Sequence, residues 1–218
     1  MLPRFSNKTV DTGNPVVESA SHLLNIVQQV LGSQDNVQIT LPGIGSVTVL
    51  SQNREYHADI NDMREFSIAP AANFEIKTLD IPELASVSKM GKDVRDLLWQ
   101  IAFHIYEDRL IESCSENDVI QFSRWPNLTR LPTTPNTARI CALLTRHPTS
   151  ITLIRRVLGI DRKEVNRVIS AAISAGIVNT ITRGPSLVSA EPAATEIRPE
   201  QTQKSGLWNS LFAKISSL

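Results

Sequence analysis

The sequence predicts an α+β fold: a small, mostly antiparallel sheet with helices, followed by a winged helix-turn-helix domain and an amphipathic C-terminal helix. Three observations predict it. Polar and apolar residues alternate across parts of 36–80, as in half-buried strands. Apolar residues recur at helical spacing across 92–110. Two short helical patterns meet at Gly159, as in a helix-turn-helix.

The first 119 residues predict a flexible arm and an acidic α+β domain. Residues 1–13 are polar and lack periodicity, which indicates the arm. The domain, 14–119, begins with Asn14-Pro15, a favoured helix start, and its first helix is predicted to end before Gly32. Predicted strands lie across 36–50, interrupted at Pro42–Gly45, and across 54–60 and 74–79; a helix across 92–110 completes the domain.

Residues 120–132 predict an irregular clasp between this domain and the next. Pro126 and Pro132 exclude a long helix there, and Trp125 is expected to be buried with its indole N–H bonded. The winged-helix domain is predicted at 133–188. Its helices are expected at 137–146, 150–158 and 162–175, followed by a short hairpin, the wing, from 178–181 and 186–188.

The C-terminal residues predict a tether and a docking helix. Residues 189–205 are rich in Pro, Ala, Glu, Thr and Gln, which favours a disordered linker. Residues 206–218 place an apolar stripe on one helix face, formed by Leu207, Trp208, Leu211, Phe212 and Ile215. Docking on a partner groove or on the chain itself is favoured over a membrane surface, because the segment carries a single Lys.

The net charge of zero conceals two opposed halves. Residues 16–119 carry 16 acidic and 7 basic side chains, whereas residues 120–185 carry 2 acidic and 10 basic ones. The basic half is suited to an anionic partner. That partner could be nucleic acid, an acidic protein or the acidic half of the same chain.

The third predicted helix of the winged-helix domain has a core face and a polar face. Val165, Val168 and Ile169 belong to the predicted core face, while Asn166, Arg167 and Ser170 are among the residues expected to point outward. Arg pairs with guanine, Asn pairs with adenine, and other Arg side chains neutralise phosphates. The candidate residues for binding double-stranded DNA or a protein partner are Arg155, Arg156, Arg162, Lys163, Asn166, Arg167 and Arg183.

The sequence favours a non-enzymatic cytoplasmic protein. The four His residues are scattered without metal-ligand spacing, so no catalytic residue, metal or cofactor is predicted. Gly43-Ile44-Gly45 lacks the third Gly and the Lys of a phosphate-binding loop. Residues 1–8 lack the apolar core of a secretory signal, and Cys114 and Cys141 have no CxxC partner. A regulatory or adaptor protein is the first hypothesis, and a DNA-binding transcriptional regulator reading through residues 162–175 is the alternative.

Three segments carry a resemblance to a known family. They are Leu97-Leu98-Trp99, Trp125-Pro126-Asn127-Leu128-Thr129-Arg130-Leu131 and Gly176-Ile177-Val178. The chain resembles a poorly characterised family of proteobacterial proteins that combine such a signature with a winged-helix-like end. The resemblance implies a fold but no established activity. It also implies a link to signalling proteins, including small Ras-like GTPases, as partners.

Overall fold

The structure is a computed structural model, and it describes residues 23–33, 35–79 and 91–182. All of these residues belong to one compact unit of the chain, Met1–Pro185. The predicted N-terminal arm, the linker and the C-terminal helix lie outside the described residues. So do the helix start at Asn14 and the second wing strand at 186–188.

The first sheet is antiparallel and has five strands in the order β4-β1-β2-β3-β5. Its strands are β1 (Asn36–Leu41), β2 (Gly45–Leu50), β3 (Glu55–Ile60), β4 (Glu75–Thr78) and β5 (Lys92–Asp93). The chain turns between β1 and β2 at Pro42–Ile44, within the interruption predicted from the sequence. The two strands form an antiparallel hairpin in which Val37 pairs with Val49. The predicted small antiparallel sheet is therefore confirmed.

Among the described residues, three α-helices accompany this sheet: α1 (Leu23–Ser33), α2 (Met63–Ile68) and α3 (Val94–Ile105). The apolar stripe that predicted this helix is buried and includes Val94, Leu97 and Ile101. Trp99 is also fully buried, so the aromatic residues of α3 belong to the core. The free energy gained on burying these side chains fixes α3 in the centre of the fold.

The second half of the described chain is mainly helical. Its helices are α4 (Thr137–Arg146), α5 (Ile151–Leu158) and α6 (Arg162–Ser174), close to the predicted bounds. Gly159 adopts a left-handed conformation with φ of 63° and ends α5, and the Asp161 side chain accepts a hydrogen bond from the Lys163 N–H at the start of α6. Gly is favoured in that conformation because it has no Cβ, and Asp is a favoured N-cap.

A second, three-stranded sheet lies beside these helices. It contains β6 (Val119–Phe122), β7 (Thr149–Ser150) and β8 (Val178–Thr182) in the order β7-β6-β8, with both pairings antiparallel. The central strand, β6, comes from the segment predicted to be an irregular clasp. The strand predicted at 178–181 is present as β8, and its partner among the described residues is β6.

Several local predictions differ from the structure. Helix α1 was predicted to end before Gly32, but it continues to Ser33. A single Gly lowers the stability of a helix only modestly, so it does not have to end one. Residues 92–93 pair as β5 before α3 starts. Helix α2 was not predicted from the sequence; its signal was Asp62, whose carboxylate accepts a hydrogen bond from the Glu65 N–H as an N-cap.

Gly45 provides a direct test of the β2–β3 pairing. Its φ is 148°, and a Cβ at this position would lie 2.2 Å from the Asp59 carbonyl oxygen. We expect Gly45→Ala to lower the free energy of unfolding by about 3 kcal/mol through overpacking and backbone strain. Gly32→Ala is the matched control, since nothing lies within 4 Å of that position. It should stabilise by up to about 1 kcal/mol. Urea unfolding of both variants measures this, and equal effects would contradict the pairing described here.

Candidate functional site

The polar face of α6 packs against α3. Asn166 is 1% exposed and Ser170 is fully buried, although both were predicted to point outward. The Ser170 hydroxyl accepts a hydrogen bond from the Ile111 N–H at 2.9 Å. That part of the outward-face prediction is wrong. The buried Ser170 hydroxyl has a hydrogen-bond partner, whereas the Asn166 side-chain oxygen has none among the described residues. Helix α6 is therefore buried on two sides instead of one.

Arg167 is the charged member of this contact. Its Nε donates a hydrogen bond to the Phe103 carbonyl oxygen at 2.9 Å, and its guanidinium carbon lies 4.4 Å from the centroid of the Phe103 ring. The guanidinium also pairs with the Glu107 carboxylate, and the Arg167 side chain is only 24% exposed. The prediction that Arg167 points outward is therefore wrong: its hydrogen-bonding and cation–π partners are supplied by the acidic half of the chain.

Other predicted binding residues also meet carboxylates of the acidic half. Arg155 and Arg162 approach Glu116 at 3.5 and 2.6 Å, and Lys163 approaches Asp108 at 2.9 Å. The Arg162 and Lys163 side chains nevertheless remain 61% and 64% exposed. Exposed ion pairs contribute little to stability, so these cations can exchange their partners.

The remaining predicted residues are placed as follows. Arg156 is exposed, and no carboxylate of the described residues lies within salt-bridge distance of it. Arg183 and the docking-helix residues Leu207, Trp208, Leu211, Phe212 and Ile215 lie outside the described residues. The other predicted binding residues lie on α5 and α6, and most of them contact the acidic half. They are Arg155, Arg162, Lys163, Asn166 and Arg167.

A groove that the sequence did not predict lies beside the 124–131 loop. It has a volume of about 290 Å³ and is bounded by the start of α3, by this loop and by the segment after α6. An adjoining pocket of about 500 Å³ shares Lys92, Asp96 and Arg130 with it and continues to Tyr56. Together they form one surface, which we call the Trp125 groove.

The loop is fixed to the core at both ends. The Ser123 N–H donates to the Ile177 carbonyl oxygen at 2.9 Å, and the Trp99 indole N–H donates to the Pro132 carbonyl oxygen at 3.1 Å. Leu131 and Pro126 are buried. Trp125 is 50% exposed, so the expectation that it would be buried is wrong. Its neighbours occupy the inner positions of the loop, and the bonded indole is that of Trp99.

Charges of both signs line the Trp125 groove. Lys92, Arg124 and Arg130 face Asp96, whose carboxyl pKa is raised mainly by burial and next by the charge of Asp93, while the cations lower it. Among the described residues, no carboxylate lies within 4 Å of the Arg124 or Arg130 guanidinium. The groove therefore offers two guanidinium groups that interact with Asp96 at longer range but form no salt bridge with any described carboxylate.

The sequence contained a signal for this groove. Arg124 directly precedes the signature that begins at Trp125, and Arg130 lies within it. Trp and Arg are both frequent at interaction hot spots. What the sequence could not provide was the approach of β5 and the start of α3, which supply Lys92 and Asp96 from distant positions upstream.

Comparison with known proteins adds no relative. No family model matches the chain, and neither curated proteins nor solved structures contain a significant match. The family resemblance of the three segments stays a prediction. Within the described ranges, no three His, Cys, Asp or Glu side chains come together in a way that could hold a metal ion. No helix in those ranges has the length and apolar character needed to cross a bilayer.

Replacing Arg167 tests the α3–α6 contact. We expect Arg167→Ala to lower the free energy of unfolding by about 2–3 kcal/mol, because it removes a charge-assisted hydrogen bond and the stacking on Phe103. Arg162→Ala, on the same helix but exposed, should change it by less than about 0.5 kcal/mol. Chemical unfolding of both proteins checks this, and a larger loss for Arg162→Ala would refute the described contact.

His104 should make stability depend on pH. Its Nδ1 is buried without a hydrogen-bond partner among the described residues. Burial and the nearby Arg167 lower the imidazole pKa below its ordinary value of 6.5, with Arg64 acting in the same direction and Glu107 and Asp62 opposing it. Because the unfolded chain binds this proton more readily, the free energy of unfolding should fall as pH drops through 6.5.

Urea midpoints measured between about pH 7.5 and 5.5 check this dependence. In His104→Gln, which cannot take up a proton, the decline towards acid should be shallower than in the unchanged protein. Two parallel profiles would show that His104 does not contribute.

Proposed function

We propose that this chain is a non-enzymatic regulatory or adaptor protein that binds a protein partner. One observation supports a protein partner over DNA more than any other. The alternative needs the polar residues of the predicted recognition helix, Arg162, Lys163, Asn166 and Arg167, to be free. Asn166 is 1% exposed, and Arg167 is bonded to the Phe103 carbonyl oxygen of α3. In a DNA-binding recognition helix, such side chains must be exposed so that they can contact base edges in the major groove.

A winged-helix module is part of this proposal. Helices α4, α5 and α6, the tight corner at Gly159 and the adjoining strands β7 and β8 support it. Modules of this kind also serve as protein docking domains, and a fold does not by itself define a function. Here β6 takes the central place in the sheet, which ties the module to the preceding part of the chain.

Surface chemistry gives the proposal its positive support. Trp125 is half exposed between two Arg residues, and Trp and Arg are the side chains most often found at the energetic centres of protein interfaces. The apolar helix proposed at 206–218 is a second docking element. A signalling protein such as a small Ras-like GTPase is the partner class that the family resemblance implies.

The alternative function, sequence-specific DNA binding, keeps one observation in its favour. The exposed cations Arg156, Arg162 and Lys163 lie on α5 and at the start of α6. Phosphates could displace the carboxylates that now pair with the last two.

One experiment separates the two functions. The full chain should capture a reproducible set of proteins from a nuclease-treated lysate, and deleting 206–218 should remove it with little change in melting temperature. Fluorescence anisotropy with a random duplex should show no binding at micromolar protein and low salt. An unaltered set of captured proteins after the deletion would count against the adaptor function.

Duplex binding that weakens steeply with salt and disappears in Arg162→Ala/Lys163→Ala would favour the DNA function. These two positions are chosen because both side chains are exposed. Arg167 is unsuitable because its largely buried side chain pairs with Glu107, so replacing it would also change stability.

A further inference from the structure

We infer that the Trp125 groove binds a short acidic segment of a protein partner, which places one large apolar side chain against the Trp125 indole and its carboxylates on Arg124 and Arg130. This inference rests on the proposed function, since it specifies where the partner binds and what its binding segment contains. Neither the sequence patterns nor the family resemblance assigns this site.

The exposure of Trp125 is maintained by the fold. The residues on both sides are anchored, Pro126 and Leu131 by burial and Ser123 by its hydrogen bond to Ile177. Within the loop, the Arg130 N–H donates to the Asn127 carbonyl oxygen at 3.1 Å. An indole held in place before binding loses little entropy when a partner covers it. It therefore provides a preformed apolar surface for one side chain.

Arg124 and Arg130 determine the charge of the ligand. Both are exposed, and no carboxylate of the described residues lies within 4 Å of either guanidinium. The cations on α6 differ, because Arg162, Lys163 and Arg167 are each paired with the acidic half. A guanidinium presents parallel donors that match a carboxylate, so Asp or Glu side chains are the complementary groups.

Asp93 and Asp96 favour a peptide over a nucleic acid. Both carboxylates line the same groove, and burial raises the pKa of Asp96. A nucleic acid strand carries a phosphate at every nucleotide and would place some of them near these carboxylates. A peptide can instead direct its backbone N–H groups towards them and keep its acidic side chains for the two Arg residues.

Selection from a displayed library of random 12-residue peptides on the immobilised full chain tests the inference. Enriched peptides should combine at least two Asp or Glu residues with one adjacent large apolar residue. One labelled peptide from this set is then titrated by anisotropy. Arg124→Glu/Arg130→Glu and Trp125→Ala should each weaken its binding by about 30-fold or more, as expected for residues at the centre of an interface.

Arg54→Glu/Arg146→Glu is the matched control, since it makes the same change in net charge at two exposed positions outside the groove. It should leave the peptide affinity within about twofold, the scale of a surface change remote from the site. Melting temperatures should agree among the four proteins, because every substituted side chain is exposed.

Three outcomes would overturn the inference. They are enrichment of peptides without acidic residues, an affinity that the groove variants do not change, and tighter binding of a 12-nucleotide oligo(dT) that the same variants abolish. The second outcome would exclude this site while leaving the proposed function intact. The proposed function fails separately, if deleting residues 206–218 leaves the captured proteins unaltered.

Discussion

The contact between α3 and α6 is the interaction on which the rest of the structure depends. It joins the most deeply buried helix of the acidic half to the last helix of the basic half, with Arg167 stacked on Phe103 and bonded to its carbonyl. A guanidinium is suited to this position, because its flat face tolerates an aromatic ring while its edge satisfies several acceptors. Part of the opposed charge of the two halves is thus used within the chain: Arg155, Arg162, Lys163 and Arg167 pair with carboxylates of the acidic half.

Helix ends and the first sheet were predictable because short-range chemistry determines them. Asp161 and Gly159 fix the ends of α5 and α6 through capping, which depends on residues a few positions apart. Alternation along β1 and β2 likewise depends on the pleat alone. These features require no knowledge of what packs against them.

The residues whose exposure was predicted wrongly have a common feature: their burial depends on tertiary packing. The pattern of α6 shows one apolar face, and Asn166 and Ser170 look like solvent-facing residues until a second helix covers them. Trp125 was expected in the core, but in the structure Leu131 is buried and Trp125 is half exposed. In both cases the alternation of polar and apolar residues does not say which of the available side chains occupies the buried space, because that depends on the tertiary packing around it. The Trp125 groove was missed for the same reason, since α3 and the loop contribute to it separately.

The central position of β6 has a consequence for how the chain is made. Val119–Phe122 leaves the ribosome well before either of its partners, and β8 follows it by more than 50 residues. Helices α4 to α6 can form from local contacts during that interval, whereas the three strands must wait for the whole span. During synthesis the exposed edges of β6 are therefore open to pairing with another nascent copy. Chaperone binding at this stage would protect the yield of the protein more than its final stability.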